Sequence, residues 1–309
     1  MPEGHSIHRL ARQFGDVFAG ERLAVSSPQG RFSAGAALLD GHTMVHASAH
    51  GKHLFLHFEH GLVLHVHLGL YGAWDFGGDH QFRGASSIGA PRRVGEREVA
   101  DDGGPANATG PTSGAAPAGY AGPPAPVGAV RVRLVSDHGW AYLRGATTCA
   151  AITDAEAAAV LERLGPDPLH NTGGSRNDFI RRILAKRTPL ATLLMDQKVI
   201  AGIGNVYRAE VLFRGRMDPL LPGRALSEDA AGLLWDDTAA VMADGVRDGR
   251  IITTTAGFWT RNDQLPPGEE AHFVYRRHGQ PCRVCGTPVA LAEHAARKLY
   301  WCPSCQQPA

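Results

Sequence analysis

Four of the five cysteines form two Cys-x2-Cys pairs near the C-terminus, and their spacing restricts the chain more than any other feature. Cys282 and Cys285 are followed, after sixteen intervening residues, by Cys302 and Cys305. Each pair fits a tight turn that can hold two corners of a tetrahedron, and the spacer is long enough for a two-stranded ribbon. Four thiolates leave no coordination position open to water, so the spacing predicts one structural Zn2+ and no catalytic metal. So small a unit cannot bury enough apolar surface to fold unaided, and metal binding would supply its folding free energy. Arg297 and Lys298 sit beside Tyr300 and Trp301 at the ribbon tip. Two readings stand there: a solvated turn with aromatic packing, or a basic finger that reaches phosphates.

Upstream, the hydrophobic period changes twice. Ile7, Leu10, Ala11 and Phe14 recur at helical spacing, and Pro2 sits where a helix would begin. From about residue 16 to 75 the runs are short and alternating: Leu54, Leu56 and Phe58 on one strand face, Leu62, Leu64, Val66 and Leu68 on another, with Glu59-His60-Gly61 as the turn between them. Val130, Val132 and Leu134 alternate with Arg131 and Arg133 in a later strand. Residues 77–127 are crowded with Gly, Ala, Pro and Ser and predict a disordered insertion. Helical signals then take over. Thr153-x-x-Glu156 reads as a capping box, with Gly165-Pro166 as a stop. Further starts are expected at Ser175-x-x-Asp178, at Thr188-Pro189 as a cap followed by proline, at Asn205 and at Ser227. With 43% hydrophobic residues in 309, the chain can fill two cores. It has no apolar run of membrane-span length and no secretory leader pattern, so a cytoplasmic protein is expected, with metal-binding rather than disulfide cysteines. Cys149 stands alone.

A net charge of +1 excludes a uniformly basic nucleic-acid binder but leaves room for local patches. One candidate is Gln197 through Asn205, where Gly202 and Gly204 allow close backbone approach and the next helix could offer free amides to an anion. Asn205 could instead cap that helix. Lys198, Tyr207 and Arg208 flank the turn, and Arg176, Arg181, Arg182, Lys186 and Arg187 precede it with only Asp178 against them. Together with the ribbon, this favours nucleic-acid binding over a merely solvated charge run. At the other end, proline at position 2 permits methionine removal, which would leave a secondary amine next to Glu3. Such an amine can attack a carbonyl-level carbon, and the carboxyl group can move protons. Taken alone, Pro2-Glu3 reads more simply as a favourable helix start.

These pieces together resemble the formamidopyrimidine-DNA glycosylase/endonuclease VIII family. The markers are Pro2-Glu3-Gly4, Gly51-Lys52-His53-Leu54, His67-Leu68-Gly69-Leu70-Tyr71-Gly72, Asp196-Gln197 through Gly204-Asn205, and the four-cysteine ribbon with Arg297 and Tyr300-Trp301-Cys302-Pro303-x-Cys305-Gln306. The resemblance implies an α+β protein: an N-terminal β-sandwich with an N-terminal helix (2–150), a helix–two-turn–helix domain (151–265) and a zinc ribbon (270–309). It implies a monomeric, nucleoid-associated enzyme of base-excision repair that acts on damaged DNA, needs no redox or nucleotide cofactor, and engages no membrane. Pro2 would be the nucleophile, Glu3 the acid/base and Lys52 a catalytic contact to the phosphate beside the lesion. Lys198, Asn205 and Arg297 would hold DNA, Asn205 and Arg297 at its phosphates. Leu70 and Tyr71 would fill the gap left by an everted nucleotide. Base release followed by β,δ-elimination would cut the strand. Pro2-Glu3-Gly4, Leu70-Tyr71-Gly72 and Tyr300-Trp301 lean to the endonuclease VIII branch and oxidised pyrimidines. Ser6 stands where that branch has a lesion-contacting acid, which keeps oxidised purines open. A catalytically weak damage binder and a zinc-ribbon structural subunit are the other readings. His42, His46, His50, His53, His57, His65 and His67 fall in or near strands and are expected to line a surface or groove.

Overall fold

The computed structural model describes residues 2–80, 82–90, 122–261 and 263–307. Two compact units result, Met1–Pro2 with Ser6–Leu161 and Glu3–His5 with Glu162–Ala309. The first begins with α1 (Gly4–Phe18), β1 (Arg22–Ser26), α2 (Ser33–Leu39), β2 (His42–His50), β3 (His53–Phe58), β4 (Leu62–His67) and β5 (Ala73–Gly78). It continues with β6 (Ser87–Gly89), β7 (Val130–Val135), β8 (Gly139–Arg144), β9 (Thr148–Thr153) and α3 (Asp154–Glu162). The strands pair antiparallel in the order β6-β5-β8-β7-β1-β2-β3-β4-β9. Only Arg22↔Thr43 and Leu23↔His42 join β1 to β2. This narrow joint separates two halves that share one core. Leu54, Leu56, Leu64 and Val66 from one half meet Trp74, Phe76, Val132, Leu134 and Leu143 from the other. Ile7, Leu10, Phe14 and Phe18 of α1 complete the cluster, as the helical period requires.

Alternation reads β7 correctly, with Val130, Val132 and Leu134 buried and the arginines between them half-buried. It reads β3 and β4 only in part. Phe55 and Val63, on the opposite face, are also buried, against Ala157 and Val160 of α3. The hairpin turn is where it was expected, with Gly61 at φ +80°. The capping box forms as well: Thr153 N–H donates to Glu156 Oε2 at 2.8 Å and Glu156 N–H to Thr153 Oγ1 at 3.2 Å.

The expectation of disorder across 77–127 needs correction at both ends, while 91–121 lies outside the described residues. Strand β5 runs to Gly78, and β6 pairs with it through Ile88, which is buried opposite Trp74. Ahead of β6, Gln13 of α1 clamps Ala85, accepting from its N–H and donating to its carbonyl, both at 2.9 Å. Downstream, Arg144 donates to Val127 O at 3.0 Å. These ties join side chains to distant backbone, so they leave no periodic trace in the sequence.

The second unit carries α4 (Gly173–Leu184), α5 (Leu190–Leu193), α6 (Asn205–Arg214), α7 (Glu228–Asp248), β10 (Ala290–His294) and β11 (Arg297–Trp301). Phe179, Ile183, Leu190, Ile200, Ile203, Tyr207, Trp235 and Met242 share its main core. Ser227 caps α7 by accepting from Ala230 N–H at 3.1 Å, as expected. Two other starts shift. Helix α4 begins at Gly173 after Thr172, whose hydroxyl lies 2.9 Å from Ser175 Oγ, so Ser175 sits inside the first turn. Pro189 takes the cap position of α5, and Leu190 opens the helix.

Ribbon residues Phe273, Val274, Val289 and Tyr300 pack with Ala209 and Phe213 of α6. Buried Glu210 of α6 accepts from the N–H groups of Phe273, Val274 and Tyr275 at 2.8, 2.9 and 2.8 Å, and from the Thr253 hydroxyl. Between β10 and β11, Ala295 and Ala296 adopt φ +50° and +57°. Alanine is strained in this region by about 1 kcal/mol or more per residue, whereas Asn-Gly suits a two-residue turn of this hand. The double substitution Ala295→Asn/Ala296→Gly is therefore expected to stabilise the ribbon by about 1–2 kcal/mol. A higher urea midpoint at unchanged slope is the check, and an unchanged or lower midpoint contradicts the strain.

Candidate functional site

The N-terminus of α6 organises the candidate site of the second unit. A helix start leaves backbone N–H groups without intrahelical partners, and the helix dipole favours an anion there. Fully buried Glu3 provides that anion. Its carboxylate accepts from Gly204 N–H at 2.7 Å, Val206 N–H at 2.9 Å and Tyr207 N–H at 3.4 Å. Beside it, Gly4 N–H donates to Gly202 O at 2.8 Å. Gly202 stands at φ +93°, which favours glycine, and a Cβ on Gly204 would lie 2.4 Å from Glu3 Cδ, so the first glycine serves the backbone and the second the close packing of the Glu3 side chain. The expectation that these amides stay free for an external anion is thus corrected, because an internal carboxylate already occupies them.

Asn205 is not the cap either. It is the first residue of α6, and its side-chain amide donates to Lys298 O at 3.0 Å while its carbonyl accepts from Arg208. Arg208 is wholly buried and also donates to Lys298 O at 3.0 Å. Burial, and then the nearby Arg297 charge, pull its pKa down to about 10. Asn205 and Arg208 therefore hold the strand that presents exposed Arg297 and Lys298. Arg208 was legible only as a cation flanking the turn. Nothing in its spacing marks it as a buried brace.

Gln197 staples the turn between α5 and α6. Its side chain donates to Met195 O and Ile203 O, each at 3.1 Å, and accepts from Gly202 N–H at 3.0 Å. Lys198 is exposed on this turn, and Arg182 donates to its carbonyl at 2.7 Å. The basic run before the turn is less free than its sequence suggests. Arg181 and Arg182 both pair with Asp178, and Arg176 pairs with Asp236 of α7 at 3.0 Å. Lys186 and Arg187 are exposed.

The remaining candidates lie in the first unit. Pro2 is buried ahead of α1. Lys52 is half-buried in the β2–β3 turn, next to Gly51 at φ +58°. Imidazoles surround that turn. His53 Nδ1 lies 2.9 Å from His65 Nε2, and the His53 and His67 ring centroids are 5.0 Å apart. Burial first, then the neighbouring histidines and Lys52, hold His53 down to about 3. Burial and Lys52 also lower His67. Both shifts disfavour the charged imidazolium at these rings. Leu70 and Tyr71 are 46% and 79% exposed between β4 and β5, which sets aside ordinary strand packing for them.

At the ribbon, the four thiol sulfurs lie within 4.8 Å of one another. Cys282–Cys305 and Cys285–Cys302 separations of 4.0 and 3.4 Å bracket the tetrahedral edge of about 3.8 Å expected from a Zn–S bond of about 2.3 Å. The residues therefore fit one structural Zn2+. Gln306 locks the second pair, accepting from Cys302 N–H at 2.9 Å and donating to Met217 O at 3.0 Å.

Two outcomes are expected. Gly204→Ala should destabilise the protein by about 1–3 kcal/mol through overpacking against Glu3, read by urea unfolding, and a neutral result would refute the close approach. A chelator under reducing conditions should release one zinc per chain and unfold the ribbon, seen as loss of Tyr300 and Trp301 chemical-shift dispersion; a ribbon that stays folded without metal would contradict the structural role.

The formamidopyrimidine-DNA glycosylase N-terminal domain matches residues 1–101, the formamidopyrimidine-DNA glycosylase H2TH domain residues 164–256, and a zinc finger found in FPG and IleRS residues 279–308. The protein named Endonuclease 8 1 of Mycobacterium tuberculosis (strain ATCC 25618 / H37Rv) is 42% identical over 306 residues, covering 99% of this chain and 100% of its own. The crystal structure of MutM (Fpg) from Thermus thermophilus superposes with a TM-score of 0.67 at 26% identity, over 99% of this chain and 98% of that one. Lactococcus lactis formamidopyrimidine-DNA glycosylase, solved with DNA containing an AP site, shares the fold with a TM-score of 0.70 at 18% identity, over 99% and 100% of the two chains. Among the described residues no helix is long and apolar enough to cross a membrane. Full-length identity at this level, with all three domain matches in order, means that the chain belongs to the formamidopyrimidine-DNA glycosylase/endonuclease VIII family of DNA-repair glycosylases, on its endonuclease VIII-like side.

Proposed function

We propose that the protein is a bifunctional DNA glycosylase and AP lyase of the cytoplasm that removes oxidised bases, pyrimidines favoured, with Pro2 as its nucleophile once Met1 is removed. The observation that carries this reading is the three-point anchoring of Glu3, because it immobilises the residue covalently joined to Pro2. Orienting a nucleophile in advance removes entropy from the barrier. An α-amino group titrates near about 8, so part of the Pro2 population is neutral and nucleophilic near physiological pH.

Attack of the Pro2 nitrogen on the sugar C1′ breaks the glycosidic bond, whose electron pair leaves with the base. The amine loses its proton, and ring opening gives an iminium. Glu3 serves as the acid/base of this step. Eliminations at the 3′ and then the 5′ phosphate cut the strand, and water releases Pro2. Lys52 engages the phosphate beside the lesion, and exposed Lys198 and Arg297, with Asn205, hold further DNA contacts. Leu70 and Tyr71 occupy the space of the everted nucleotide, where unstacking costs a few kcal/mol. Kinship with a relative named Endonuclease 8 1 supports the pyrimidine preference. Ser6, buried in place of an acid, supports a second reading with oxidised purines as substrates.

Borohydride reduction on an abasic-site duplex tests the mechanism. Met1-free protein should form a covalent adduct, Pro2→Gly should lose most of it, and an N-terminal tag should abolish it. An adduct that persists with Pro2 in amide linkage refutes the nucleophile. DNA affinity should fall steeply with salt, and a lesion panel ranks pyrimidine against purine substrates.

A further inference from the structure

Leu70 and Tyr71 can fill a gap in a duplex only if the turn that carries them keeps its shape while both side chains face solvent. Its shape therefore rests on the backbone of 68–72. Gly72 N–H donates to Leu68 O at 3.0 Å. Gly69, at φ +67°, directs its N–H to His67 Nδ1 at 3.2 Å. That bond requires Nδ1 to carry no hydrogen. Thr147, between β8 and β9, faces the same atoms. Its N–H donates to His67 O at 3.0 Å, and its hydroxyl lies 3.0 Å from both His67 O and His67 Nδ1. Its methyl group forms the floor under Gly69, where a Cβ would approach to 2.4 Å.

We infer that Thr147 is a positioning residue for the Leu70–Tyr71 plug, fixing His67 by its carbonyl so that Nδ1 meets Gly69 N–H. The hydroxyl donates its one hydrogen to His67 O, so Thr147 fixes that carbonyl with two donors and leaves the lone pair of Nδ1 to Gly69 N–H. In the other tautomer Nδ1–H would point at Thr147 Oγ1, and Gly69 N–H would lose its acceptor. Thr147 thus grips the His67 carbonyl through both its backbone N–H and its hydroxyl, and its hydroxyl oxygen lies against the ring nitrogen. This inference rests on the plug role proposed above for Leu70.

Thr147→Val keeps the shape, the methyl floor and the backbone bond and removes only the hydroxyl. Its single-turnover excision rate on a lesion duplex should fall about fivefold, as loss of one hydrogen bond of about 1 kcal/mol implies, with DNA affinity and trappable amplitude within twofold of the parent. Thr147→Ser should restore the rate. A merely structural role would lower the amplitude and leave the rate, and that result, or a parental rate in Thr147→Val, overturns the inference. Leu70→Ala separates the two levels. If Leu70→Ala slows excision and Thr147→Val does not, the inference fails and the plug stands. If Leu70→Ala leaves the rate unchanged, the plug reading fails. Nitrogen NMR of histidine-labelled protein gives a readout free of activity: unprotonated Nδ1 at His67 is expected, and Nδ1–H there overturns the proposed clamp.

Discussion

The bond set between Glu3 and the start of α6 is the constraint on which the second unit depends. One carboxylate satisfies three backbone donors from a helix that begins two hundred residues later in the chain. Charge-assisted bonds to backbone N–H are stronger than neutral ones, and here they are buried, where an unpaired donor or acceptor would be costly. The approach is close because Gly204 carries no Cβ against Glu3 and Gly4 carries none against the Gly202 backbone, where one would lie 3.0 Å from Cα. Glu3 therefore has a positional duty at the head of α6. Its loss would disturb the helix start.

A second buried carboxylate repeats this solution one turn further along α6. Glu210 gathers three consecutive N–H groups at the start of the ribbon, while Asn205 and Arg208 share the carbonyl of Lys298 at its tip. Helix α6 carries Asn205, Arg208 and Glu210 among its buried apolar residues because it serves as a frame. One end receives Glu3, and its flank receives the ribbon. Burying Arg208 and Glu210 is tolerated because their hydrogen bonds go largely to fixed backbone atoms, which need little reordering. Zinc closes the far end of the ribbon, and the hydrogen-bonded frame settles where Arg297 is displayed.

Local pattern was informative where structure is local. The capping boxes and caps at Thr153 and Ser227, the alternation in β7, the Gly61 hairpin turn and the amphipathic α1 follow from neighbours within a few residues, and the structure realises them. The pattern misled where tertiary partners took over. Ser175 carries helix-start chemistry but lies inside a helix already begun. Arg176 of α4 looks free until Asp236 arrives from α7. The low-complexity stretch after β5 looks disordered, yet Gln13 reaches from α1 to hold its first part. Hydrogen bonds between a side chain and remote backbone have no period, so no window of sequence can reveal them.

The sequence by itself determined the family, the zinc ligands, the order of strands, helices and ribbon, and the identities of the candidate site residues. Those properties reside in residue type and spacing. Only the tertiary structure decided that the amides at the head of α6 belong to Glu3, that Asn205 braces the ribbon instead of capping its helix, and that Arg208 is buried. These are choices among competing partners for the same hydrogen-bonding groups, and they are settled by which groups the fold brings within about 3 Å of one another.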